Sequence, residues 1–382
     1  MKYIYLNNAA TSYPKPAVVL KTINDKLKII PVDTRRDGLS IDTGNEVYKC
    51  REKLCRFFNA ENAENIIFTS GATESLNTGI FGLGLNNVHV ITSVTEHNSV
   101  IRPLKYLEKN NNVAISWVSC DQYGRIAADD ISKLIKTDTA AVIINHASNV
   151  TGYIQDIQKI SSSIKKINNN ILFIVDASQS AGMSEIDLKN TGIDILAFTG
   201  HKSLYGMRGI GGFYLKKGVN LNPLKHGGTG VKSESLYQPD ILPIKYEAGT
   251  PNVPGITSMA AGTDFIIDTG LKKIINQKKH ILSIAYEKLS HIDKVELVSG
   301  PDIDNNCGVI SFVIKGFKIA DVCYIIQKSF GIIIRSGLHC APMIHKFIGT
   351  NPEGTLRISP SFFTKEKDIS RFINSIKQIV KM

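Results

Sequence analysis

In the stretch LAFTGHKSLYGMRGIGG, residues 196–212, an apolar run ends in the pair His201-Lys202 and gives way to recurring glycines. A lysine at a strand end can be pressed into a dry pocket. Desolvation then disfavours its ammonium form and leaves a nucleophilic amine. Glycine-rich turns beside it let the backbone approach a ligand closely. Taken alone, Lys202 fits a surface turn as well as it fits chemistry, so other residues must decide. Asp176 ends the strongly apolar run ILFIVDAS. A buried carboxylate there needs a cation or hydrogen bonds, unless it only caps the following turn. The segment SGATES, residues 70–75, puts a hydroxyl and small residues at a helix start. Free N–H groups and the helix dipole suit an anion at such a place, and an ordinary cap by Ser70 or Thr73 fits equally well. His97 stands in TEHNSV. Neither G-x-G-x-x-G after a strand nor G-x-x-x-x-G-K-[ST] occurs, which speaks against a dinucleotide fold and a P-loop. One cofactor uses all these parts together. Pyridoxal 5'-phosphate takes a lysine for its Schiff base, an acid that keeps its ring nitrogen protonated, and an anion site for its phosphate.

The elements that must position these residues alternate between residues 66 and 215. The runs NIIFTS, NVHVITS, VAISWVS, AAVIINHAS, ILFIVDAS, DILAFTG and IGGFYL read as strands. Helices are expected over ATESLNTGIFGL, near Asn98 to Glu108, near Ala128 to Ile135, and over Ile157 to Ile167. Many strands are apolar without clean alternation, as strands covered on both faces should be. That order predicts an α/β fold with a mostly parallel seven-stranded sheet. From about residue 255 a long helical stretch broken at Gly270 leads into a smaller α+β unit. The expected division is an N-terminal segment 1–16, a large domain 17–255, and a linking helix with a small domain over 256–382. The first helix, near Ala17 to Ile30, is expected to pack on the small domain. Ligands bind at the ends of parallel strands in such sheets. Here five successive strand ends carry Thr73, His97, Asn149, Asp176 and Lys202 or their neighbours.

The chain has 382 residues, a formal net charge of +11 and a sequence pI near 9.2. Its lysines are scattered as pairs such as Lys165-Lys166, without a basic block interleaved with aromatics, which argues for a solvated surface and against a nucleic-acid groove. No run has the roughly 18 apolar residues of a membrane helix, and the amino terminus lacks a signal-peptide pattern. A soluble, cytoplasmic protein with no membrane association is expected. The six cysteines form no Cys-x-x-Cys pair, so no metal site is expected, and an intracellular chain should keep them reduced.

The segments YLNNAATSYPKP, FTSGATESLN, TEHNSV, NHASNVTG, VDASQSAG, FTGHKSLYGMRGIGG, YEAGTPNVPG, RSGLHC and LRISPS run nearly end to end through the chain. In order and spacing the sequence resembles the class V aminotransferase superfamily, and within it the cysteine desulfurases and selenocysteine lyases. The resemblance implies a type I aminotransferase fold with pyridoxal 5'-phosphate bound to Lys202. It implies that Asp176 pairs with the ring nitrogen, Gln179 with the ring oxygen, and that His97 stacks on the ring. It assigns the phosphate to Ala72 and Thr73, helped by Thr199 and His201, and by Thr250 of a neighbouring subunit in a homodimer. Asn149 and Arg357 should hold the substrate carboxylate, with Arg335 assisting. Cys340 should be the nucleophile that takes sulfur from L-cysteine as a persulfide, leaving alanine, before an acceptor protein or thiol removes it. Arg335 and His339 are the cations expected beside that thiol. The sequence departs from the usual pattern at Leu338, where a histidine is common, and at SLYG, one residue longer than usual. Selenocysteine lyase, or an aminotransferase or eliminase of the same fold, is the alternative function.

Overall fold

The computed structural model of the chain describes residues 3–28 and 41–382. A short strand, β1 (Ile4–Tyr5), precedes β2 (Ile66–Thr69), β3 (His89–Ser93), β4 (Ala114–Val118), β5 (Thr139–Asn145), β6 (Leu172–Asp176), β7 (Ile195–Thr199) and β8 (Gly211–Leu215). The last seven form one sheet in the order β2-β8-β7-β6-β5-β3-β4. Its pairs from β7 through β6, β5 and β3 to β4 are parallel, whereas β8 runs antiparallel to both β7 and β2. The helices up to this point are α1 (Ala17–Lys26), α2 (Ile41–Phe57), α3 (Ala72–Gly82), α4 (Asn98–Asn110), α5 (Ala128–Leu134) and α6 (Ile157–Ile167).

The central strands are apolar throughout because both faces are covered. In β6, Phe173 and Val175 join a core with Leu54, Phe58 and Phe198, while Ile174 faces a second core with Leu76, Ile80, Val100 and Leu104. In β5, Val142 and Ile144 go to the first core and Ile143 to the second. The period-2 alternation of a strand thus feeds two apolar layers rather than one.

Beyond the sheet come α7 (Val253–Thr269), α8 (Leu271–Ser290), β9 (Val295–Leu297), β10 (Ile310–Ile314), α9 (Ile319–Phe330), β11 (Ile332–Ile333), β12 (Arg335–Gly337), α10 (Ile344–Phe347), β13 (Thr355–Ile358) and α11 (Glu366–Ile379). Strands β12-β13-β10-β9 form a four-stranded sheet, and β1 pairs in parallel with β11. This unit has its own core, built from Ile281, Leu282, Phe312, Ile326, Leu356, Phe372 and Ile376. The break between α7 and α8 falls at Gly270, whose φ of 88° a residue with a Cβ adopts only at a cost.

Two contacts differ from expectation. Among the described residues helix α1 packs on α7, and its Val19 joins the large core rather than the smaller unit; residues 29 and 30 of the expected helix lie outside the described residues. Helix α7 itself buries Ile256, Met259 and Ile266 in the large core, and only from Ile281 does α8 enter the small one. Conversely Ile4 and Leu6, at the chain's start, belong to the small core. Apolar periodicity marks which face of a helix is buried but not which layer covers it. Among the described residues, no helix is long and apolar enough to cross a membrane.

Candidate active site

Lys202 lies in the loop from β7 to β8, which are antiparallel neighbours with Thr199 opposite Gly211. The glycines around it serve packing. A Cβ on Gly211 would sit 2.6 Å from the Phe198 carbonyl oxygen and 2.7 Å from Gly71 Cα, and one on Gly206 would sit 2.9 Å from Met259 Cα in α7. Backbone is thus crowded against backbone, and the loop has one shape in which to present its lysine.

The strand ends of β2, β3, β5, β6 and β7 open on one cavity of about 380 Å³. It is lined by Ala72, Thr73, His97, Asn149, Asp176, Gln179, Thr199, His201, Lys202, Arg335 and Arg357. The fold therefore gathers every residue expected at the cofactor and the substrate carboxylate except Thr250. Thr250 is exposed and lines a neighbouring cavity of about 170 Å³, which shares Ser70, Glu74 and Gly209 with the main one.

Burial pushes the Lys202 ammonium down to about 8, against the pull of the Asp176 carboxylate. Its amine is thus far more available than an ordinary lysine's near neutral pH. Asp176, 5 % exposed at the end of β6, accepts from the Ser178 N–H at 2.8 Å and from the Ser178 hydroxyl through the same Oδ1. His97 caps α4, and its Nδ1 accepts from the Ser99 N–H at 3.1 Å. Burial also lowers its pKa, so the ring is neutral with its proton on Nε2. The Ser99 hydroxyl continues to Thr73 Oγ1 at 2.8 Å, which joins the imidazole to the first turn of α3. Helix α3 starts at this cavity wall, where Gly71, Ala72, Thr73 and Glu74 all line the space. The first N–H groups of a helix have no partner within it and bear the positive end of its dipole.

Four buried polar atoms of residues on this wall have no partner among the described residues: Nδ1 of His201, Oδ1 of Asn149, Nδ1 of His339 and Nε of Arg357. His201 is held neutral, with burial first and then Lys202 pressing its pKa down to about 4. A neutral imidazole, a helix N-terminus, two threonine hydroxyls, an acid and a lysine that gives up its proton readily are the set of groups that pyridoxal phosphate requires, so the cavity fits it.

Arg357 comes from β13, directly opposite Arg335 on β12. It is 1 % exposed; Nη1 donates to the Asn149 carbonyl at 2.8 Å and Nη2 to Asn7 Oδ1 at 3.3 Å. Burial and the Arg335 charge press its pKa down to about 9, yet it remains a cation at neutral pH with no carboxylate beside it among the described residues. Two guanidinium groups at one cavity wall call for an anionic ligand group.

Cys340 is exposed and is not one of the residues lining the cavity, but its neighbours Arg335 and His339 are, and Arg335 Nη2 lies 3.5 Å from its sulfur. Both His339 and Cys340 have left-handed backbones, φ 50° and 60°, and the turn is tied down on two sides. The Asn98 N–H, the residue after His97, donates to the Cys340 carbonyl at 2.7 Å, and Asn149 Nδ2 to the His339 carbonyl at 2.6 Å. His339 does not supply the expected positive charge. It is buried against Thr355, and burial with the charges of Arg357 and Arg335 drives its pKa far down. Arg335 is the cation at this thiol.

Several cavity residues escaped the sequence reading: Ala9, Ala10, Ser99, Asn145, Ser178 and Arg208. Ser99 and Ser178 each lie two residues past an expected site residue, a spacing suited to side-chain caps. Ala9 and Ala10 gave no chemical signal at all.

The comparisons with known proteins agree along the whole chain. A relative described as a probable cysteine desulfurase, from Borreliella burgdorferi, is 31 % identical over 396 residues, covering all of this chain and 92 % of its own length. The cysteine desulfurase of Wigglesworthia glossinidia brevipalpis is 30 % identical, covering 99 % of this chain and 93 % of its own. The apo structure of a cysteine desulfurase from Thermococcus onnurineus NA1 superposes with a TM-score of 0.92 at 30 % identity, over 99 % of this chain and 95 % of that one. The model for aminotransferase class-V matches residues 4–372, taking in the N-terminal segment, both sheets and the turn that carries Cys340. A match of that extent settles the kinship, and the chain belongs to the class-V aminotransferase family.

Proposed function

We propose that this chain is a pyridoxal phosphate-dependent cysteine desulfurase, converting L-cysteine to L-alanine and taking the sulfur onto Cys340 as a persulfide. The observation that carries the reading is an exposed thiol 3.5 Å from a guanidinium that itself lines a cavity holding a half-buried lysine and a buried aspartate. The relatives' shared description supports the same activity.

The cofactor, held by Lys202, supplies an electron sink conjugated with the substrate's α-carbon. The protein's own groups do the rest. Asp176 would pair with the ring nitrogen and keep it protonated, His97, neutral, would stack on the ring, and Gln179 would hydrogen-bond its oxygen. Thr73, Thr199, His201 and the α3 N–H groups take the phosphate, and Ala72 is small enough to let it approach. Arg357, with Asn149 and Arg335, takes the substrate carboxylate and so fixes which bond stands over the ring. Lys202 Nζ is the base for the α-proton. The Cys340 thiolate then attacks the substrate sulfur. A sulfur–sulfur bond forms and the carbon–sulfur bond breaks, its electron pair staying with the carbon, which takes a proton and becomes the methyl of alanine. A second thiol, on an acceptor protein or small molecule, removes the persulfide sulfur by exchange.

Thr250 serves the phosphate site of a second copy, which makes the enzyme a homodimer. Its absence from its own chain's cofactor cavity, beside an open neighbouring one, supports that reading. We place the enzyme in the cytoplasm, supported by six unpaired cysteines. The test of the function is a holoenzyme assay with L-cysteine that quantifies alanine and sulfide. Alanine formation in step with sulfide is expected. Keto acid formation without sulfide would assign an aminotransferase instead.

A further inference from the structure

The loop that presents Lys202 is fastened from outside the sheet. Four donors converge on one carbonyl oxygen, that of His201. They are the Ser12 N–H at 3.0 Å, Thr11 Oγ1 at 3.2 Å, Ser12 Oγ at 3.1 Å and Lys15 Nζ at 3.1 Å. The same ammonium donates to the Gly206 carbonyl at 2.6 Å and to Ser12 Oγ at 2.8 Å. Lys15 thus bridges the two ends of the turn 201–206, with Lys202 inside the span. Among the described residues it has no carboxylate partner. Burial, and then the Arg208 charge, lower its pKa to about 8, so it is a cation at neutral pH.

Residues 7–15 are anchored at their other end to the smaller unit. Asn8 N and Nδ2 donate to the Ser359 carbonyl, Ala9 N donates to Ser359 Oγ, and Asn7 accepts from Arg357. Between the anchors, Ala9 and Ala10 form cavity wall, and Gln179 donates to the Ala9 carbonyl at 3.0 Å. The Lys15 ammonium donates to three neutral oxygens, two of them carbonyls at the ends of the turn that carries Lys202. Its donors number three and its geometry uses all three.

We propose that Lys15 is a positioning residue for Lys202. Its ammonium clasps the His201 and Gly206 carbonyls and so fixes the loop from which the Lys202 amine reaches cofactor and substrate. The proposal rests on the reading of Lys202 as the cofactor lysine.

The test uses holoenzyme carrying Lys15→Met, which keeps the length and loses the donors, and Lys15→Arg, which keeps a cationic donor. Two quantities are read: steady-state kinetics with L-cysteine, and the pH titration of the bound cofactor's absorbance. Misplacing a reacting group by a fraction of an ångström to an ångström costs up to about 100-fold in rate. Lys15→Met should therefore lower kcat by roughly 10- to 100-fold with KM little changed, and should shift the absorbance midpoint, while Lys15→Arg restores most of both. Wild-type kcat and an unmoved midpoint in Lys15→Met would overturn the proposal, as would a loss confined to KM or melting temperature. Should Lys15→Met not fold, Lys15→Ala, which removes the donors with the side chain, is read by the same two quantities, and unchanged kcat and midpoint there overturn it equally. Borohydride reduction of wild-type holoenzyme keeps the two readings apart. A label away from Lys202 refutes the cofactor lysine, whereas a label on Lys202 with an indifferent Lys15 refutes only the clasp.

Discussion

Lys202 and Arg357 are both cations that the fold has desolvated, and their chemistry follows from what each is left facing. Lys202 faces Asp176 and an enclosed cavity, and burial outweighs the aspartate, so protonation is disfavoured above about pH 8. Because the folded-state value lies below that of a free lysine, near 10.4, the neutral amine accumulates as pH rises through 8 rather than through 10. The rate at which cofactor-free protein captures pyridoxal phosphate should accordingly climb between pH 7 and about 9 and then level off. A stopped-flow absorbance series measures this, and a rate still climbing steeply beyond pH 9 would place the amine in water. Arg357 is buried and among the described residues is bonded only to neutral oxygens, and the proposed function has the substrate carboxylate complete its charge. Removing one partner of a buried, hydrogen-bonded charge pair typically costs about 2–5 kcal/mol. Arg357→Met should raise KM for L-cysteine by roughly 30-fold or more, and Arg357→Lys should recover little, since a point charge does not replace a planar fork. Comparing KM among the three proteins checks both statements.

At the scale of the element, the site depends on close backbone contacts that leave no trace in hydrophobicity. Gly262, inside α7, lies so near the Lys202 loop that an added Cβ would sit 2.0 Å from the Leu204 carbonyl oxygen. Ala favours helix over Gly by about 1 kcal/mol, so propensity alone predicts that Gly262→Ala is stabilising. Overpacking typically costs about 1–3 kcal/mol, and here it pushes on the loop itself. Gly262→Ala should lower the melting temperature and weaken cofactor retention together. A variant that melts higher and holds cofactor normally would show the contact to be soft. The strands and most helix bounds were legible, because long apolar runs and their punctuation report burial directly. Helix α6 is an instance, with Ile157, Ile160 and Ile164 on one face and Asp156 capping it. The covering partner was not legible. Val18, Leu20 and Val19 read alike, yet only Val19 is buried, and against α7 rather than the small unit. The chemical residues of the cavity were visible as polar strand ends. Its N-terminal wall, Ala9 and Ala10 with the Lys15 clasp, was not, since alanines carry no chemistry and a Pro-Lys-Pro turn looks like surface. His339 shows the same limit from the other side: its ionisation is decided by burial against Thr355, which spacing does not reveal.

The whole molecule is two units, the large sheet with a core on each face and the smaller unit with its own, and both line the cavity. The large unit supplies Lys202, Asp176 and the start of α3, and the small sheet supplies Arg335 and Arg357 and leads into the Cys340 turn. The N-terminal strap and the contact of Asn98 with Cys340 hold the two units in register across it. The proposed role of Thr250 in a second copy's phosphate site predicts that dilution to monomer releases cofactor, which size-exclusion with absorbance detection would follow; a monomer that keeps its cofactor would show the site to be complete in one chain. The central claim is that substrate sulfur passes to Cys340, and one measurement addresses it most directly. Holoenzyme treated with L-cysteine, without acceptor, is alkylated, digested and weighed peptide by peptide, with alanine quantified in the same sample. The account predicts one added sulfur on the Cys340 peptide, matched by alanine in the first turnover, and neither product from Cys340→Ser, although that variant still binds L-cysteine and perturbs the cofactor's absorbance. Alanine formed at the wild-type rate by Cys340→Ser, or added sulfur found on another cysteine, would contradict it.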